Sequence, residues 1–245
     1  MESETDPGFP HQPRVTGEHA YGHTALDTST VRYFDSQLHM LPGITIPLRS
    51  MFVESAADAI LISPVGTAEE FAAAGAELTT LVAPSLLHHK HLHDAIDRLA
   101  PRELWGPPGL VDKKPELAGT KVLGVDAWPY GEILPFVVIE GAPRRNEVVF
   151  FHPSTRTIYT ADLVFAIQAP QGFLAPLAFR AMGIYKRFGV AKMWSHWVKD
   201  PARFRRSIEQ VLAWDFDRIA MAHGDIIEDG GKAKLITALR ERDLI

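Results

Sequence analysis

The sequence contains no cysteine, which removes disulfides, thiolate metal sites, iron–sulfur clusters and cysteine nucleophiles together. Any metal must then be held by His, Asp or Glu. No apolar run approaches the ~18 residues of a membrane span. The first twenty residues are acidic and proline-rich, unlike an export signal, so a cytoplasmic protein is expected. A Gly-rich phosphate loop and a G-x-S-x-G elbow are both missing, which argues against kinase and serine-hydrolase chemistry. Charge of one sign is scarce too. The 25 Lys and Arg against 30 Asp and Glu leave a net −5, and Glu2, Glu4, Asp6, Glu18 and Asp27 against Arg14 put −4 of it in the first thirty residues. The rest is close to neutral, which argues against a nucleic-acid partner.

What remains is 245 residues, 46% of them hydrophobic, a length that suits one large layered domain. Residues 1–30 carry Pro7, Gly8, Pro10, Pro13, Gly17 and Gly22 and few aliphatic side chains, and are expected to form a disordered N-terminal tail. Residues 31–245 are expected to form the domain. Within it, residues 44–46, 50–53, 59–62 and 78–83 are runs of strand length rich in β-branched residues. Thr67 followed by Glu70 is a capping box that predicts a short helix, and further helices are expected over 90–99, 202–214 and 232–243. Residues 121–125, 136–139, 148–151 and 157–161 read as successive strands with no room for crossover helices, which excludes a (β/α)₈ barrel and a doubly wound sheet. A strand over 103–105 and a late one over 217–222 complete the series. This α/β order suits two sheets packed face to face with helices outside.

Three places carry chemistry, and each lies directly after a predicted strand. The first is the segment 83–94, with His88, His89, His91 and His93. The second is Asp162, after the strand 157–161. The third is His223, followed by Gly224 and Asp225. Loops at strand ends hold side chains on a rigid frame, which suits a metal site. A turn-capping Asp and a hydrogen-bonded core His are the plainer readings of Asp162 and His223 taken singly.

In this order of elements and residues the sequence resembles the metallo-β-lactamase-fold superfamily, over roughly residues 40–230. The segments 82–89, 147–162 and 214–225 resemble a branch with a degenerate metal motif. The resemblance implies an α+β fold, a four-layer αββα sandwich, with a helical insert at about 170–214. Two registers of the histidine loop are open. In one, His88 and His89 take the family's Asp-His positions, and the family's first-metal histidines become Pro84, Leu86 and a residue near Ala142, none of which can ligate. In the other, His89, His91 and His93 keep the alternating spacing but Asp94 follows the last of them. The first register implies that one metal survives, on His88, His89, Asp162 and His223.

A metal-dependent hydrolase follows as the expectation. One divalent ion, Zn²⁺ first and Fe²⁺, Mn²⁺ or Ni²⁺ as alternatives, would activate water against an ester, lactone, amide or phosphoester of a small-molecule substrate. Asp162 is expected as ligand or general base, and Asp225 as the partner that orients His223. The alternative is a non-catalytic binding or interaction protein on the same scaffold. Residues 173–197 are expected to be helical and to cover the site, and the +7 run over 180–206 to favour an anionic substrate; the solvated helix face is the plainer reading of that run.

Overall fold

The computed structural model describes residues 15–16, 30–55, 58–65 and 78–245. The predicted capping-box helix at Thr67, and nearly all of the expected tail, lie outside the described residues.

One sheet runs β1 (Val15–Thr16), β2 (Thr30–Leu41), β3 (Ile44–Glu54), β4 (Ala59–Ile62), β5 (Thr80–Val82), β6 (Glu103–Gly106) and β7 (Lys121–Val122), in that spatial order. Strands β1 to β4 pair antiparallel and β4 to β7 parallel. The second sheet contains β8 (Phe136–Val138), β9 (Val148–His152), β10 (Thr157–Thr160) and β13 (Arg218–Met221), ordered β13-β10-β9-β8. A short pair, β11 (Phe165–Ala166) with β12 (Phe188–Gly189), forms its own ladder and bridges from Ala166 to Gly224, just beyond β13. The helices are α1 (Leu92–Leu99), α2 (Leu110–Lys113), α3 (Ala175–Met182), α4 (Trp194–Trp197), α5 (Pro201–Ala213) and α6 (Gly231–Arg240).

Side-chain alternation along the strands explains the layering. Met51 and Val53 of β3 and Ile60 and Ile62 of β4 point inward, where they share a core with Phe150, Tyr159 and Ala220 of the second sheet. Their neighbours Phe52 and Leu61 point the other way, onto Leu92 and Ala95 of α1. On the far side, Val149, Phe151 and Ile219 pack against Phe179, Phe204, Ile208 and Leu235 from α3, α5 and α6. A strand buried on both faces must be apolar at every position, as Val-Val-Phe-Phe in β9 is. The expected four layers, helix, sheet, sheet and helix, are therefore present.

Two expectations change. The long strand β2 was not among the predicted runs, because Arg32, Asp35, Ser36 and Gln37 break its apolar pattern; Arg32 pairs with Glu54 and Asp35 with Arg49 across the ladder to β3. The segment 173–197 is not one helix. Gly183 ends α3 in the left-handed region, at φ 74°, and its N–H and that of Ile184 close back onto the Arg180 and Phe179 carbonyls.

Candidate metal centre

Strands β10 and β13 lie side by side and parallel, with Thr160 in register with Met221. Asp162 and His223 each stand two residues beyond that pair, so the pairing delivers both to one end of the sandwich. From the facing sheet, the loop after β5 brings His88 to the same point. His88 Nε2 lies 3.2 Å from His223 Nε2. Asp162 Oδ2 is 3.6 Å from His88 Nε2, and Oδ1 is 3.5 Å from His223 Nε2. Among the described residues, these three side chains form a group able to hold a metal ion, with ligand atoms within 4.8 Å of one another.

Each histidine is held from its far nitrogen. His223 Nδ1 is 2.8 Å from the Pro47 carbonyl oxygen, which can only accept, so Nδ1 carries a proton and Nε2 is the ring atom left to ligate an ion. His88 Nδ1 lies 2.8 Å from Ser63 Oγ. Phe165 stacks on the His223 ring with centroids 5.3 Å apart. Arg49, clamped by Asp35, donates to the Gly224 carbonyl and fixes the turn that follows.

The carboxylate of Asp162 is the centre of the arrangement. The residue is 7% exposed and His223 5%. Burial alone would raise its pKa, but the His88 and His223 rings outweigh that and hold it well below the usual carboxylate range. Ser85 Oγ stands 3.5 Å from Oδ2, and Arg145 Nη1 3.8 Å. A buried carboxylate normally accepts charge-assisted bonds at ~2.7–2.9 Å, yet all four groups facing this one stand back from it. Beneath it lies Glu147, fully buried, whose oxygens accept the backbone N–H groups of Ala161 (2.9 Å), Asp162 (3.0 Å) and Leu163 (3.0 Å). Burial and then the Asp162 charge push the Glu147 carboxyl up to about 8, against the pull of those three donors. Trp194 Nε1 donates to the Asp162 carbonyl at 2.8 Å.

Of the residues expected from sequence, His88, Asp162 and His223 come together. His89 is not in that group; its pKa is lowered by burial and then by the charges of Lys113 and Lys114. The reason is the tight turn from His88 to His91, which sends successive side chains in different directions. Asp225 is exposed and does not orient His223; the Pro47 carbonyl does. Pro84, Leu86 and Ala142 are buried and offer no ligand atom.

Sequence reading missed Arg145, Glu147, Ser63 and Ser85. Arg145 and Glu147 sit in a charged turn, Arg-Arg-Asn-Glu, directly before the apolar Val-Val-Phe-Phe of β9, and a charge abutting a buried strand was the available signal. Arg145 is 9% exposed, stacks its guanidinium 3.2 Å over the Trp197 ring, and leaves Nη1 buried without a hydrogen bond. No helix among the described residues is long and apolar enough to cross a membrane.

No family model matches the sequence, and no curated relative does. Solved structures do match. A metallo-β-lactamase from Pontibacter korlensis superposes with a TM-score of 0.61 at 16% identity, over 94% of this chain and 99% of that one. The flavodiiron core of Flv1 from Synechocystis gives 0.60 at 13% identity, over 91% of this chain and 60% of that one. A metallo-β-lactamase from Erythrobacter litoralis gives 0.57 at 16%, over 90% and 96%. With the two sheets, the flanking helices and the strand-end site all in place, the chain has the fold of the metallo-β-lactamase superfamily.

Proposed function

We propose that this protein is a metal-dependent hydrolase with a single divalent ion on His88, Asp162 and His223. One observation carries the reading: a buried carboxylate and two imidazole nitrogens whose mutual distances are 3.2, 3.5 and 3.6 Å. Ligands ~2.1 Å from one ion in tetrahedral array are about 3.4 Å apart. The same spacing is too long for direct hydrogen bonds between the carboxylate and either ring. Two nitrogens and one carboxylate oxygen suit Zn²⁺ with an open position, and also Fe²⁺, Mn²⁺ or Ni²⁺. Such an ion supplies Lewis-acid polarisation of a scissile ester, lactone, amide or phosphoester and lowers the pKa of water toward ~7.

The chain's own groups supply the rest. The Pro47 carbonyl and Ser63 hydroxyl fix the two rings with their Nε2 atoms toward the site. Asp162, whose carboxyl is held well below the usual carboxylate range, is ionised and serves as a ligand or as the general base for a proton leaving water. The Trp194 indole and the Glu147 cradle hold its backbone from both sides.

A second reading is a non-catalytic binding protein on this scaffold, favoured by the buried Pro84, Leu86 and Ala142 where the resemblance places first-metal histidines. Hydrolysis of nitrophenyl ester, lactone and phosphoester probes separates the two. Hydrolysis abolished by chelation, restored by Zn²⁺ and lost in His223→Ala supports the enzyme. Rates indifferent to chelation contradict it.

A further inference from the structure

The Arg145 guanidinium poses a question the metal ligands leave open. A charged donor group buried without a hydrogen bond is unfavourable, and Nη1 is such a group. Asp162 Oδ2, its nearest anion, is at 3.8 Å, an ion-pair contact and too far for a hydrogen bond. Trp197 covers the guanidinium on one side at 3.2 Å. The turn that carries it is locked down. The Leu86 N–H donates to the Arg145 carbonyl at 2.9 Å, and the Val148 N–H to the Pro84 carbonyl at 2.7 Å. This backbone pairing lays the turn along the loop that leads to His88, and Trp197 packs over the guanidinium it carries.

The charge count points the same way. Asp162 contributes one negative charge, Arg145 one positive, and a divalent ion two more. Whether Glu147 is ionised or protonated, the enclosed group is net positive by one or two. A buried excess of positive charge demands an anion. The planar fork of a guanidinium matches a phosphoryl group through paired N–H donors, and a dianion balances the larger excess better than a single carboxylate.

We infer that Arg145 and the His88–Asp162–His223 group form one oxyanion site, in which the guanidinium takes a phosphoryl group of the substrate beside the ion. This deepens the hydrolase reading above by naming a phosphoester substrate class, and its charge argument rests on that reading, because without the ion Arg145 and Asp162 cancel; the unpaired Arg145 Nη1 does not depend on it. Within the basic run over 180–206, Arg180 stacks on Tyr185 and Arg187 pairs with Glu241.

Isothermal titration of the full chain tests it with inorganic phosphate and with acetate, each against metal-free and Zn²⁺-loaded protein, for the natural sequence, Arg145→Met and Arg145→Lys. Phosphate is expected to bind the natural protein more tightly than acetate, and more tightly with Zn²⁺ present. Arg145→Met is expected to weaken phosphate at least tenfold while Zn²⁺ binding is kept, and Arg145→Lys to fall between. Equal phosphate affinity in all three proteins, or acetate binding as tightly as phosphate, overturns the proposal. If Zn²⁺ fails to bind but Arg145→Met still loses phosphate, the metal reading falls and the Arg145 site stands. Should Arg145→Met not fold, tungstate soaked into crystals of the natural protein decides. Its anomalous peak is expected within hydrogen-bond distance of Arg145 Nη1, and a peak elsewhere, or none, overturns the assignment.

Discussion

Asp162 depends on groups that touch its backbone as much as on those that touch its carboxylate. Glu147 satisfies three consecutive N–H groups in a fully buried loop. Removing it orphans all three at about 1 kcal/mol or more each. Glu147→Ala is expected to destabilise the fold by at least ~3 kcal/mol in a urea titration and to weaken Zn²⁺ binding, because the loop carrying Asp162 loses its anchor. Trp194→Phe removes one donor to the Asp162 carbonyl and is expected to lower stability by about 1–3 kcal/mol. His89→Ala, by contrast, is expected to leave Zn²⁺ stoichiometry unchanged; a lost equivalent would return His89 to the ligand set. The convergence of His88, Asp162 and His223 was legible in part: Asp162 and His223 each directly follow a predicted strand, whereas His88 belongs to one of two registers that the histidine loop left open. Arg145, Ser63 and the Pro47 carbonyl were not, because what qualifies them is position in space: a buried guanidinium reads in sequence as one of many surface charges, and a backbone carbonyl leaves no trace at all.

At the level of elements, the turn after β13 shows how little slack the site has. Gly224 sits at φ +117°, and a Cβ there would lie 2.3 Å from the Ala166 carbonyl carbon and oxygen. Gly224→Ala is therefore expected to push the turn off β11, displacing His223 and its stacking on Phe165, with loss of both stability and Zn²⁺ affinity. A circular dichroism melt beside a Zn²⁺ titration reads both. The start of α5 offers a control that is not among the ligands. Asp200 accepts the Arg203 N–H at 3.0 Å, with Pro201 at the first helical position, so Asp200→Ala should lower stability by ~1 kcal/mol and leave Zn²⁺ binding intact. That helix was expected from the sequence, over 202–214, and it forms as Pro201–Ala213. The insert before it was not, since Leu177 and Arg180, spaced as if on one stripe, are both exposed and the helix stops at Gly183. Helical spacing predicts a face only where the chain remains helical, and the glycine decided otherwise.

Across the whole molecule, the αββα layering followed from the order of apolar runs, since strands apolar at every position need cover on both faces. Function does not follow from that layering, because one scaffold hosts many reactions. What narrows it is the junction of the sheets, where parallel β10 and β13 deliver Asp162 and His223 to the loop that carries His88. One ion held at this junction is the central claim. Elemental analysis of untagged protein, dialysed against Zn²⁺ and then against metal-free buffer, tests it directly alongside a His88→Ala, His223→Ala double variant of demonstrated fold. The account predicts one equivalent of metal per chain in the natural protein and none in the variant. The same negligible content in both would contradict it.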